Sequence, residues 1–142
     1  MGLVSLLTDL SSEMIYPLLP VFLTGVLHAG AAAIGIIEGV AETTVSLIKY
    51  FAGLYSDRLR RRKPVFAFGY GVANIVRPLI GIATSWHQVL LIRFADRVGK
   101  GVRSAPRDAL LADSVEKENL GLAFGFQRTM DHVGALSGPL IA

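Results

Sequence analysis

Between two long apolar runs, residues 53–64 read GLYSDRLRRRKP, with one acid, Asp57, and five basic residues, Arg58, Arg60, Arg61, Arg62 and Lys63. So many cations in so short a connection between hydrophobic segments of spanning length place that connection on the cytoplasmic face of a membrane. The other segments are oriented from it. Hydrophobic residues make up 52% of the 142 and charged ones only 18%, too apolar for an ordinary soluble domain. Several segments approach the ~20 apolar residues that a bilayer-crossing helix needs. The fold class that follows is an all-α membrane protein.

Five spans are expected, at about residues 3–27, 31–55, 65–84, 89–111 and 122–142, and with the basic connection inside they put the amino terminus in the cytoplasm. The connection 85–88 carries Trp86 and no Lys or Arg, as an outer turn should. The first span is no signal peptide: it lacks a basic leading region and carries Asp9 and Glu13 within its core. The chain has no cysteine, which excludes disulfides and thiolate metal sites. The three histidines are scattered, and neither a metal cluster, a nucleophile–base pair nor a phosphate-cradling loop is present. No cofactor and no catalytic residue are therefore expected. Nucleic acid is not an expected partner, because five of the fourteen Lys and Arg are already explained by topology.

The spans carry more charge than lipid tolerates. In the first, Ser5, Asp9, Ser12, Glu13 and Tyr16 share one helical face, and Pro17 and Pro20 would kink it. In the second, Glu38, Glu42 and Lys49 lie in a narrow arc. The third is apolar apart from Asn74 and Arg77, with Gly69, Gly71 and Gly81 expected to allow close helix contacts and Arg77 expected to reach the outer interface. The fourth is the extreme case: Arg93, Arg97, Lys100, Ser104 and Arg107 run down one side, flanked by Asp96 and Arg103. Its four central charges would cost about 10 to 14 kcal/mol near mid-bilayer, against roughly 2 to 4 kcal/mol gained from its apolar residues. This helix must face a wet cavity or acidic partners. The fifth carries Arg128, Asp131 and His132.

Counted at about 1.5 Å per residue, Glu13, Glu42 and Arg97 come out near the middle of a ~30 Å hydrocarbon slab. Ion pairing across the first, second and fourth helices is expected, because an unpaired charge at that depth is costly. Desolvation favours the neutral form of a carboxylic acid and a neighbouring guanidinium the ionised form, so small movements could load and unload a proton. The candidate proton-coupling or substrate residues are Asp9, Glu13, Glu38, Glu42, Arg93, Arg97, Lys100 and Asp131. A purely structural role as helix-joining ions is the alternative for each, and His132 is read as structural.

Three motifs, in order along the chain, resemble the major facilitator superfamily of secondary transporters. Gly53, Asp57, Arg58, Arg61 and Arg62 are similar to the family's loop between helices 2 and 3, which the resemblance makes a cytoplasmic gate. Arg60 stands where the family usually has glycine, so the turn there is expected to be built differently. Arg93 with Gly99 resembles the helix 4 motif, whose arginine is linked to proton coupling, although Arg97 occupies the place of a usual glycine. Gly134, Gly138 and Pro139, in GALSGP, resemble the helix 5 packing motif of exporters. The runs DLSSEMIYPLLPVF (9–22) and RFADRVGKGVRSAPRDAL (93–110) also resemble a bacterial branch of the superfamily.

The resemblance covers essentially the whole chain, as helices 1 to 5 of a usual twelve. It implies a partial amino-terminal six-helix half of a transporter that needs the missing carboxy-terminal helices or a complementary chain. The expected function is transport of a small organic solute or ion by alternating access, in the form of proton-coupled export, from a bacterial inner membrane. Its partners would be the lipid bilayer, a small-molecule substrate and protons. The alternatives are a non-transporting membrane receptor or scaffold, and an inactive truncated fragment.

Overall fold

The computed structural model describes residues 2–59 and 62–142. Arg60 and Arg61 lie outside the described residues, and with them one gate residue and the expected glycine substitution. Five long helices follow one another: α1 (Gly2–Gly25), α2 (Ala31–Leu59), α3 (Arg62–Val76), α4 (Trp86–Ser114) and α5 (Leu120–Ile141), with 3-10 turns at Arg77–Ile82 and Lys117–Asn119. Among the described residues there is no strand.

Two departures from the expected helices have local causes. The third span stops being α-helical at Val76, because Pro78 has no N–H to donate and its ring crowds the carbonyl four residues back. The chain tightens into 3-10 geometry instead. At the basic connection, α2 runs on to Leu59 and α3 restarts at Arg62, so most of the expected loop is helical. Asp57 and Arg58 lie in the last turn of α2, and Arg62 and Lys63 begin α3. α1 ends at Gly25, and three residues further on His28 adopts φ 51°, a left-handed conformation in the connection to α2.

Several hydroxyls within the helices are satisfied by their own backbones. Thr8, Thr44, Ser104 and Thr129 donate to the carbonyls of Val4, Val40, Lys100 and Gly125, four residues back, at 2.6–2.9 Å. This keeps a hydroxyl tolerable where no water can reach it.

The helices form two compact units, Met1–His28 with Ser114–Ala142, and Ala29–Asp113. Buried positions hold Ser5, Asp9, Ser12, Arg77, Arg93, Asp96, Arg97, Arg103 and Gln127, whereas Leu3, Val21, Ile75, Leu91, Leu122, Leu136 and Leu140 are each more than 60% exposed. A protein that hides arginines and displays leucines is built for an apolar solvent. Accordingly α1, α2 and α3 with its 3-10 extension are long and apolar enough to cross a membrane.

In the first unit, α1 and α5 meet backbone to backbone. A Cβ added to Gly134 would lie 2.7 Å from the Leu6 carbonyl oxygen, and one added to Gly138 would lie 2.9 Å from that of Leu10. Both positions therefore admit only glycine without a shift of the facing helix. Gly134→Val should lower the unfolding midpoint, costing about 1 to 3 kcal/mol by overpacking. Gly125→Ala, where nothing lies within 4 Å, should leave it unchanged or slightly raised. Equal behaviour of the two variants in thermal scanning would contradict this packing.

In the second unit the same device joins α3 to α4 and α4 to α2. A Cβ on Gly69 would sit 2.7 Å from the Gly99 oxygen, and one on Gly101 would sit 2.8 Å from the Ile48 Cβ. Gly71 and Gly81, expected to serve likewise, have nothing within 4 Å. Only Gly69 of the three falls on the face that α4 covers.

Candidate functional site

α2 and α4 carry a ladder of opposite charges. Arg93 Nη2 donates to Glu38 Oε1 at 3.0 Å, and one turn further on Arg97 Nη2 lies 3.6 Å from Glu42 Oε1. Both pairs advance by four residues on both helices, the spacing that keeps side chains on one face. The rungs differ in their surroundings. Arg93 is 1% exposed and Glu38 22%, while Arg97 is 4% exposed and Glu42 68%. Arg93 Nε and Nη1, Arg97 Nε and Glu38 Oε2 are buried without a hydrogen-bond partner. The inner rung is thus a single-point contact between groups that could make two, and it holds donors in reserve.

Behind the ladder, Arg77 Nε donates to Asp96 Oδ1 at 2.8 Å, with both side chains almost wholly buried. The expectation that Arg77 reaches the outer interface is overturned. Pro78 and the 3-10 turn bring its side chain back onto α4. Toward the basic end of the same unit, the Arg103 guanidinium sits 4.4 Å from the centre of the Tyr70 ring, a cation–π contact that takes the place of an acid. The buried line on α4 is therefore Arg93, Asp96, Arg97 and Arg103, while Lys100, Ser104 and Arg107 are only half-buried.

At the basic end, Arg62 joins three helices. Its Nη1 pairs with Asp113 near the end of α4, and its Nη2 lies 3.7 Å from Asp57 near the end of α2. Asp57 and Asp113 are 70% and 65% exposed, so each contact is worth at most about 1 kcal/mol. Such pairs can break and reform cheaply. Arg58 has no ion pair or hydrogen bond among the described residues, and a Cβ added to Gly53 would lie 3.5 Å from that of Ala105, an ordinary contact distance. The expected spans, ending at 111 and resuming at 122, leave Asp113 in a connection, whereas α4 runs on to Ser114. The available signal was RDALLAD (107–113), a run of good helix formers with no breaker, which carries α4 on to Arg62.

In the first unit, Ser5 Oγ donates to Asp131 Oδ1 at 2.5 Å and Gln127 Nε2 donates to the same oxygen at 3.1 Å. Asp9 is buried, Glu13 is half-buried with its Cβ against Gly138, and the buried Ser12 hydroxyl has no partner. Tyr16, expected on this polar face, is 49% exposed. His132 is exposed, with Nδ1 2.7 Å from the Arg128 carbonyl oxygen. Pro139 lies in the last turn of α5. Among the described residues no group of histidines and acids is arranged to hold a metal ion.

The family model of the Major Facilitator Superfamily matches residues 1–142. An uncharacterized MFS-type transporter of Methanocaldococcus jannaschii is 37% identical over 142 residues, covering 100% of this chain and 35% of that protein. Uncharacterized proteins of Mycobacterium tuberculosis and Mycobacterium bovis are 32% identical over 139 residues, covering 98% of this chain and 34% of theirs. The chain spans about a third of the length of these curated relatives. No solved structure gives a significant match. With charges turned inward, leucines outward, glycine-mediated helix contacts and a whole-chain family match, this chain belongs to the Major Facilitator Superfamily.

Proposed function

We propose that the chain forms the amino-terminal part of a proton-coupled secondary transporter that exports a small organic anion by alternating access. The observation that carries this is the α2–α4 ladder, in which Arg93 and Arg97 are held by glutamates yet keep buried donors without partners. Such donors suit a carboxylate or phosphate group, and Lys100 one turn on adds a third cation. Glu42 is the better placed of the two ladder acids to exchange a proton, because it is the exposed one. Glu13, Asp9 and Asp131 in the first unit are the other candidate carriers.

Asp57, Arg58, Arg61 and Arg62 would gate the cytoplasmic side, with Asp113 added as the acid that Arg62 holds. Weak exposed pairs fit a gate that must open every cycle. Alternating access needs an opposing half, supplied by further helices or a second chain. The setting would be a bacterial inner membrane with the amino terminus in the cytoplasm. In proteoliposomes containing protein made from the complete reading frame, Glu13→Gln and Glu42→Gln should each abolish flux driven by a proton gradient. Unchanged flux would remove that residue from the coupling mechanism.

A receptor or scaffold is the second reading, favoured by the buried Arg77–Asp96 pair, which joins helices without offering a site. Proton movement on adding substrate separates the two, since a scaffold would show none.

A further inference from the structure

A groove in the second unit is unrelated to the ladder. It has a volume of about 720 Å³ and runs between α2 and α3 over a floor provided by Val102 of α4. Ile48, Phe51, Tyr55 and Arg58 line one side, and Val65 and Phe68 the other. Phe51, Tyr55 and Phe68 are 61%, 60% and 64% exposed, so the walls are apolar and uncovered.

The polarity and length of the groove select an occupant. Among the described residues its lining is apolar except at one end, where Arg58 contributes the only charge and has no ion pair. The exposed Lys63 follows in the same turn region. From Arg58 to Ile48 is ten residues of α2, about 15 Å along the axis. That is half of a ~30 Å hydrocarbon core, the depth reached by the acyl chain of a single leaflet. The cation therefore stands at headgroup level while the far end of the groove reaches the bilayer midplane.

We propose that this groove is a binding site for an anionic phospholipid of the leaflet on the basic side, with an acyl chain between α2 and α3 and the phosphate on Arg58. A zwitterionic lipid would fill the groove but add its own ammonium close to Arg58 and Lys63, and so bind less well. One basic residue at a membrane surface favours an anionic lipid by ~1 kcal/mol, which is about fivefold in affinity.

The test uses protein made from the complete reading frame and purified in detergent. Native mass spectrometry reads the lipid retained when phosphatidylglycerol and phosphatidylcholine with identical acyl chains are titrated in. Wild type should retain phosphatidylglycerol about fivefold better, Arg58→Gln should lose that preference while holding phosphatidylcholine as before, and Arg58→Lys should keep most of it. No preference in wild type, or an undiminished one in Arg58→Gln, overturns the proposal. A photocrosslinker at Phe68 in native membranes should label lipid. If it labels another helix of the protein or a second copy instead, the groove is a packing surface and the proposal fails.

Discussion

Asp96→Ala is expected to lower stability by about 3 to 5 kcal/mol, enough to remove most folded protein from a detergent extract. The Asp96 side chain is 2% exposed and accepts the Arg77 Nε at 2.8 Å, and Arg77 is itself 6% exposed. Removing the carboxylate leaves a guanidinium in a place that water scarcely reaches, and the cost of keeping a charge there is no longer offset. Asp96→Asn keeps an acceptor at nearly the same position and should fall between alanine and wild type. The double variant Arg77→Met/Asp96→Leu removes both charges and fills much of their volume, so it should recover most of the loss. Unfolding in a denaturing detergent titration, read by circular dichroism, would rank the four proteins. If Asp96→Ala unfolded at the wild-type midpoint, the pair would carry no weight in joining α4 to the end of the third span.

That pair marks where sequence and structure part. The all-α membrane class was legible, because long apolar runs that carry charges force inward-facing partners, whereas the ion pairing expected across the first, second and fourth helices is found between the second and fourth, at Glu38–Arg93 and Glu42–Arg97. Arg77 was misplaced because its direction depends on the 3-10 turn that Pro78 induces, a change of helical phase that no 100° count includes. Asp113 was missed because a charged stretch after an apolar helix looks like a loop whether or not the helix continues. Gly71 and Gly81 looked equivalent to Gly69 until α4 showed which face of the third span it covers. Residue type announces a glycine contact, but only the packing tells which glycine makes it.

The two rungs of the α2–α4 ladder should respond in opposite ways to loss of their acids. Glu38 pairs at 3.0 Å with an arginine that is 1% exposed, whereas Glu42 lies 3.6 Å from Arg97 and is 68% exposed. Glu38→Ala strands Arg93 beside donors already lacking partners, and should cost about 3 kcal/mol or more. Glu42→Ala removes a contact beyond good hydrogen-bond length from a side chain that is mostly exposed, and should cost less than about 1 kcal/mol. Transport should invert the order. On the proposed mechanism Glu42 exchanges the proton, so Glu42→Ala abolishes gradient-driven flux at near-normal stability. Glu38→Gln can still accept from Arg93 through its amide oxygen, and should retain flux in proportion to the folded protein recovered. Measuring unfolding midpoints and flux per folded molecule on the same preparations separates the two roles. If flux followed stability across both variants, the ladder would be a structural tie and the coupling acid would have to be sought among Asp9, Glu13 and Asp131 of the first unit.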